Sequence, residues 1–126
     1  MKQRITPEWA LAQLARLGGQ RFVTAFKHGH LELEYYKPLH TDLQQPHTRD
    51  EIYFVISGTG WFVQGKRRER FGPGEVLYVP AGEVHRFEEF SADFATWAIF
   101  SDIPLNASAP AAAGGRAAPG ARGRGK

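Results

Sequence analysis

Between residues 31 and 100 the chain is cut by glycine and proline into short apolar runs, a pattern that leaves little room for anything but a compact β fold. Strand-like runs fall at 31–36, 51–57, 61–64, 67–71, 76–79, 84–87 and 94–100. Gly58-Thr59-Gly60, Gly65-Lys66, Gly72-Pro73-Gly74 and Pro80-Ala81-Gly82 punctuate them. Glycine reaches the positive φ that tight turns require, and proline presets φ. Gly65-Lys66, with glycine first, fits a two-residue type II′ hairpin turn. Many short strands at close spacing form a sandwich or a barrel. No helical pattern alternates with these strands, which argues against a parallel α/β sheet.

The run 51–57 carries more information. Successive strand side chains point to opposite faces, so Glu51, Tyr53, Val55 and Ser57 share one face and Ile52, Phe54 and Ile56 the other. Both faces are largely apolar, so both are expected to be buried. One lines the interior; the other needs a second sheet, the N-terminal helix or a partner subunit. Nine Phe, four Tyr and three Trp supply bulk for a dense core.

The N-terminus predicts one packing helix of about 12 residues. Thr6 can cap it, Pro7 suits its first position, and Glu8 favours its first turn. Ala10, Leu14 and Leu17 share a face with Leu11 beside it, and Gly18-Gly19 ends the pattern. Three segments follow: a helical segment at 1–20, a β domain at 21–105, and a tail at 106–126. The tail holds eight Ala, five Gly and two Pro, with no aromatic or branched aliphatic residue. Such a composition buries too little apolar area to offset the entropy of ordering, so the tail is expected to be disordered.

Charge separates along the same boundary. Of 16 basic and 13 acidic residues, Arg116, Arg122, Arg124 and Lys126 lie in the tail with no acid, leaving the rest of the chain at −1. The net charge of +3 thus belongs to the tail, and no nucleic-acid footprint is expected on the folded part. Lys66-Arg67-Arg68-Glu69-Arg70 reads as a solvated hairpin edge. There is no cysteine, hence no disulfide framework, thiolate metal site or cysteine nucleophile. The first residues are basic, but Glu8, Gln13 and Arg16 interrupt any signal-peptide apolar region, and no run approaches the roughly 20 apolar residues of a membrane helix. A cytoplasmic protein without a membrane partner is expected.

Four polar residues stand at spacings that carry chemistry. Gln45 and His47 are two apart, Glu51 follows with matching parity, and His85 comes three residues after Gly82. A closed sheet brings His85 to the others. Two imidazoles and a carboxylate form the facial ligand set of a divalent metal with open positions, and Gln45 could add an amide oxygen. His28 and His30 share the His-x-His spacing but lack a following Glu, so they read as surface or strand-edge residues. His40 and Asp42 fall on a loop that could line the barrel mouth. Tyr53, Tyr78, Phe87 and the tryptophans read as core or pocket wall. No Gly-x-Ser-x-Gly elbow, dinucleotide fingerprint or phosphate loop is present.

The sequence resembles the cupin superfamily, in particular its small single-domain bacterial members. Gln45-Pro46-His47-Thr48-Arg49-Asp50-Glu51, then Gly58 after six residues, is similar to the first cupin motif, His-x-His-x3-Glu-x6-Gly. Gly74, then Pro80-x-Gly82-x2-His85 after five residues, is similar to the second. The segment between the motifs is short, and the resemblance covers roughly residues 26–100. Gln45 replaces the family's first His, and Leu39 and Glu89 replace its expected Gly and Asn. The resemblance implies an antiparallel cupin barrel (a double-stranded β-helix, or jelly roll) of six to eleven strands, with one metal held by Gln45, His47, Glu51 and His85. Fe, Mn, Ni and Zn all suit such ligands.

The expected function is metal-dependent binding or conversion of a small oxygen-bearing organic molecule inside the barrel, by dioxygenase, isomerase or lyase chemistry. The alternatives are a non-catalytic ligand-binding or sensor module using the same pocket, and a purely hydrogen-bonded polar core. A homodimer is expected from the second apolar face of 51–57. Truncation after Leu105 is expected to change the melting temperature by less than about 5 °C, the shift that roughly 1 kcal/mol produces in a domain of this size. A larger loss in calorimetry would show that the tail docks on the fold.

Overall fold

A computed structural model describes residues 3–42 and 47–102. One helix, α1 (Pro7–Ala15), precedes eight strands: β1 (Phe22–His28), β2 (Leu31–Tyr36), β3 (Asp50–Ser57), β4 (Gly60–Gln64), β5 (Arg67–Phe71), β6 (Val76–Val79), β7 (His85–Glu88) and β8 (Ala95–Ser101). They form a five-stranded sheet, β1-β2-β8-β3-β6, and a three-stranded sheet, β5-β4-β7, with every pairing antiparallel. This is the all-β cupin barrel that the sequence implied, with a short N-terminal helix. The segment boundary near residue 105 and the 106–126 tail lie outside the described residues.

Turn chemistry sets the strand boundaries. Gly65 stands at φ 58° and closes the β4–β5 hairpin with Lys66, pairing Gln64 with Arg67. β5 is an edge strand whose charged residues are exposed, and the Arg68 and Arg70 guanidinium groups lie 4.3 and 5.2 Å from the Trp61 ring centre. β1 is a strand the sequence did not single out. Its register against β2 shifts between Thr24 and Phe26, and that bulge breaks the alternation a strand pattern depends on.

The two sheets close over an aromatic core. Phe87 is its hub, with ring centres of Phe94, Tyr53, Phe62 and Phe71 at 4.7, 4.9, 5.0 and 5.3 Å. A second cluster lies outside the barrel, where Ala10 and Leu14 of α1 pack with Tyr35, Ala95, Ile56 and Trp97. Thr6 caps the helix as expected, its Oγ1 accepting from the Trp9 N–H at 3.1 Å. The helix is shorter than expected, ending at Ala15 with Arg16 as its cap; Leu17 lies beyond it and is exposed.

The second face of β3 is only partly covered. Ile56 packs with the helix cluster, but Phe54 is 43% exposed beside its register partner Val76 at 55%. Tyr78, the partner of Ile52, is 41% exposed. Of the covers expected for this face, the helix serves only its Ile56 end, and the β3–β6 edge is left exposed within the chain. The helix reaches the Ile56 end of the strand and no further.

At that same end of β3 the 57–60 turn meets the 90–94 corner. Ser57 Oγ donates to Asp93 O at 2.6 Å, and the Ser91 N–H donates to Thr59 O at 2.8 Å. Gly58 lies at φ 86°, and a Cβ there would overlap the Phe94 backbone. Gly74 has a similar φ of 83° with open space around it. Gly58→Ala is therefore expected to destabilise the fold by more than about 2 kcal/mol, and Gly74→Ala by the backbone term alone, about 1 kcal/mol. Denaturant unfolding of both variants checks this, and equal losses would remove the role assigned to the Phe94 contact.

Candidate metal centre

Glu51 is the second residue of β3, and its side chain turns into the barrel on the same face as Tyr53 and Val55. His85 opens β7. Both are almost wholly buried. His47 precedes β3, separated from it by bends at Thr48 and Arg49. The parity argument thus does not account for His47, which a bend rather than an extended strand brings to Glu51. Gln45 falls outside the described residues.

Two hydrogen bonds join the halves of the site. Asp50 Oδ1 accepts from the Ala81 N–H at 2.7 Å, and His47 O accepts from the Gly82 N–H at 2.6 Å. The Pro80–Gly82 turn just ahead of β7 is thereby fixed against the chain just ahead of β3. His85 follows that turn and arrives opposite His47 and Glu51. Ligand atoms of all three lie within 4.8 Å of one another. Glu51 Oε1 is 3.3 Å from His85 Nε2 and 3.7 Å from His47 Nε2. Donors bound to a first-row cation at about 2.0–2.2 Å stand about 3–3.5 Å apart, so small side-chain shifts would accommodate one.

The hydrogen bonding around these atoms fits a cation. His47 Nε2, Glu51 Oε1 and Glu51 Oε2 are buried without a hydrogen-bond partner. A buried carboxylate in that condition is costly unless a positive charge faces it. His85 Nδ1 lies 3.0 Å from Glu83 O, a carbonyl that only an N–H can meet, so the neutral ring directs its Nε2 lone pair into the site. The Tyr53 hydroxyl, 3.0 Å from Nε2, also reaches the site, although the sequence placed Tyr53 only in the core or pocket wall. Burial holds the His47 imidazole below its usual pKa against the pull of Glu51. At His85 burial acts in the same direction, but the Glu51 carboxylate and the Glu83 carbonyl outweigh it and raise the pKa.

Aromatic and charged neighbours fix the surrounding wall. The His47 ring meets Phe100 edge-on at 4.9 Å, and Arg49 lies 4.5 Å from the centre of the same Phe100 ring. Arg49 Nη1 donates to Glu32 Oε1 at 2.6 Å. His47 also lines a cavity of about 470 Å³ together with Glu34, Tyr36 and Thr41. Glu34 is a functional candidate the sequence reading missed. Its signal was the spacing of Glu32, Glu34 and Tyr36 along one face of β2.

The remaining candidates lie elsewhere. Asp42 accepts from the Tyr36 hydroxyl at 2.5 Å and the Phe87 N–H at 2.8 Å, so it ties β2 to β7 rather than simply lining the mouth. His40 is exposed at φ 66°. His28 ends β1 and His30 lies in the exposed turn between β1 and β2. Glu89, standing where the family has Asn, lies at φ 49°, a left-handed conformation that Asn adopts more readily than Glu.

The comparisons agree with this architecture. A 43% identical match over 61 residues joins the chain to an uncharacterized protein of Streptomyces coelicolor, covering 48% of this chain. The matched part is 58% of that relative's length. A cupin 2 conserved barrel domain protein from Salinispora arenicola superposes with a TM-score of 0.56 at 17% identity, over 82% of this chain and 90% of that one. A cupin superfamily protein from Desulfitobacterium hafniense gives 0.56 at 16% identity, over 80% and 93%. Among the described residues no helix is long and apolar enough to cross a membrane. The cupin domain family profile matches residues 32–97, just over half of the sequence and including His47, Glu51 and His85, so this chain belongs to the cupin family.

Proposed function

We propose that the protein holds one divalent cation at His47, Glu51 and His85, with Gln45 as a weaker fourth donor, and binds or converts a small oxygen-bearing molecule in the adjoining cavity. The observation that carries this reading is the convergence of three buried donor atoms without hydrogen bonds on one point of the barrel interior. A bound Fe, Mn, Ni or Zn ion would act as a Lewis acid on the ligand's oxygen. Two neutral imidazoles and one carboxylate leave such a centre at net +1, which favours an anionic or enolisable partner. Within the chain, Asp50 and the His47 carbonyl hold the donors in register, Tyr53 offers a hydroxyl at the site, and Phe100 packs edge-on against the His47 ring.

His47→Ala and His85→Ala are each expected to reduce metal content from about one ion per chain to background in elemental analysis, since the set then keeps too few strong donors. Gln45→Ala is expected to weaken binding only modestly, and Gln45→His to strengthen it. Full occupancy in the His47→Ala/His85→Ala double variant would leave a hydrogen-bonded polar core as the reading.

A cytoplasmic homodimer belongs to the same proposal. The exposed outer stripe of Phe54, Val76 and Tyr78 across the β3–β6 pairing supports assembly through that face. Light scattering is expected to give the dimer mass at micromolar concentration and the monomer mass for Phe54→Glu. A monomer mass for the unmodified chain at high micromolar concentration would leave that stripe without a partner subunit.

A further inference from the structure

The cavity beside the metal centre contains an ionisable group that the ligand set does not use. Glu34 lies on β2 between Glu32 and Tyr36, and Tyr36 belongs to the inner aromatic core. Alternation along the strand turns Glu34 to that same inner side, and it lines the cavity together with Tyr36 and His47. Phe22 and Leu39 form apolar parts of the wall. The half-buried Glu34 carboxyl has no ion pair among the described residues, because the nearby Arg49 guanidinium is engaged by Glu32 at 2.6 Å and by Asp102 at 3.9 Å.

The surroundings of Glu34 are mostly negative or neutral. Glu32 stands on the same strand and Glu51 on β3, while Asp42 is held at the Tyr36 hydroxyl. The positive groups are Arg49, already paired, and Arg21 at the cavity wall ahead of β1. The register partners of Glu34, Thr24 on β1 and Ala98 on β8, carry no charge. Burial, followed by the charges of Glu32 and Glu51 and a hydrogen bond shared with the Glu32 carboxyl, raises the Glu34 carboxyl to about 7 against the opposing pull of Arg49. A group with that proton affinity exchanges a proton readily near neutral pH.

We propose that Glu34 is the proton-transfer group of this cavity and that the site takes a small enolisable carbonyl compound, its oxygen at the His47, Glu51 and His85 centre and its neighbouring carbon towards Glu34. This deepens the reading of the site as a metal centre and rests on it. As a carboxylate, Glu34 removes a proton from the carbon beside the carbonyl. The C–H bond breaks, its electron pair forms the C=C bond of an enolate, and the carbonyl π pair moves onto oxygen. The Glu34 carboxyl then returns the proton to the same carbon or delivers it elsewhere on the enolate, restoring the carboxylate. Atoms and charge balance without an oxidant or a second substrate, so among the chemistries open to this barrel the assignment selects proton transfer.

Two measurements on the full-length protein test this. In the metal-free chain, the carboxyl carbon resonance missing from Glu34→Gln is expected to titrate with a midpoint near 7; a midpoint in the ordinary range of about 4.3 overturns the assignment. A bound cation lowers that midpoint, which is why the metal-free chain is used. In deuterated water, the manganese-loaded protein is expected to exchange the methyl protons of pyruvate. Glu34→Gln should slow this by about 100-fold or more at unchanged metal content, and Glu34→Asp should retain part of it. Exchange no faster in the unmodified protein than in Glu34→Gln, with metal bound in both, overturns the role of Glu34 and leaves the metal centre standing. Absence of metal uptake by the unmodified chain overturns the metal reading, and this inference with it.

Discussion

The site depends on the clasp between Asp50 and the Pro80–Gly82 turn. Glu51 and His85 lie more than thirty residues apart, on strands of different sheets, and sheet pairing alone does not set their separation to a fraction of an ångström. The Ala81 N–H to Asp50 and Gly82 N–H to His47 bonds do so at 2.7 and 2.6 Å. The Asp50 side chain is fully buried, so this charge-assisted bond forms where water competes least. The glycine in the second motif thus contributes by its backbone N–H as well as by its φ of 83°.

The barrel accepts a local energetic penalty at its centre. Glu51 is 1% exposed within an aromatic interior, and neither of its oxygens has a hydrogen bond. An isolated carboxylate in such a setting costs several kcal/mol. The dense packing around Phe87 and the Gly58–Phe94 contact provide the stability that lets the chain keep such a group. The Glu51 charge reaches both titratable neighbours: it helps raise the His85 imidazole against the opposing effect of burial, and it adds to burial and to Glu32 in raising the Glu34 carboxyl.

The strands were legible because their signals are local. Turns at Gly65-Lys66 and Pro80–Gly82 fix the ends of β4, β5 and β7 within one or two residues, and alternation in 51–57 assigned the inner face of β3 correctly. β1 was not singled out because a bulge interrupts its period, and the end of α1 was placed too late because exposed Leu17 continues an apolar pattern past the last helical turn. The set His47, Glu51 and His85 was readable from spacing, but the geometry joining them was not. Asp50 looks like any acidic residue until the Ala81 N–H is found beside it. Glu34 was missed for a similar reason: two acids in a strand read as solvent-facing until Tyr36, two residues on, proves to belong to the core.

Sheet order has a consequence for how the cavity comes into being. β3 and β2 are not neighbours; β8, the last strand among the described residues, lies between them and pairs with both. Glu34 and Glu51 therefore come to face one interior only after β8 has threaded into place. Until then β2, with Glu34, has no pairing to the β3–β6 side of the barrel. Closure of the cavity is thereby deferred to a late stage of folding, and a fragment lacking β8 cannot bring Glu34 to the side of Glu51.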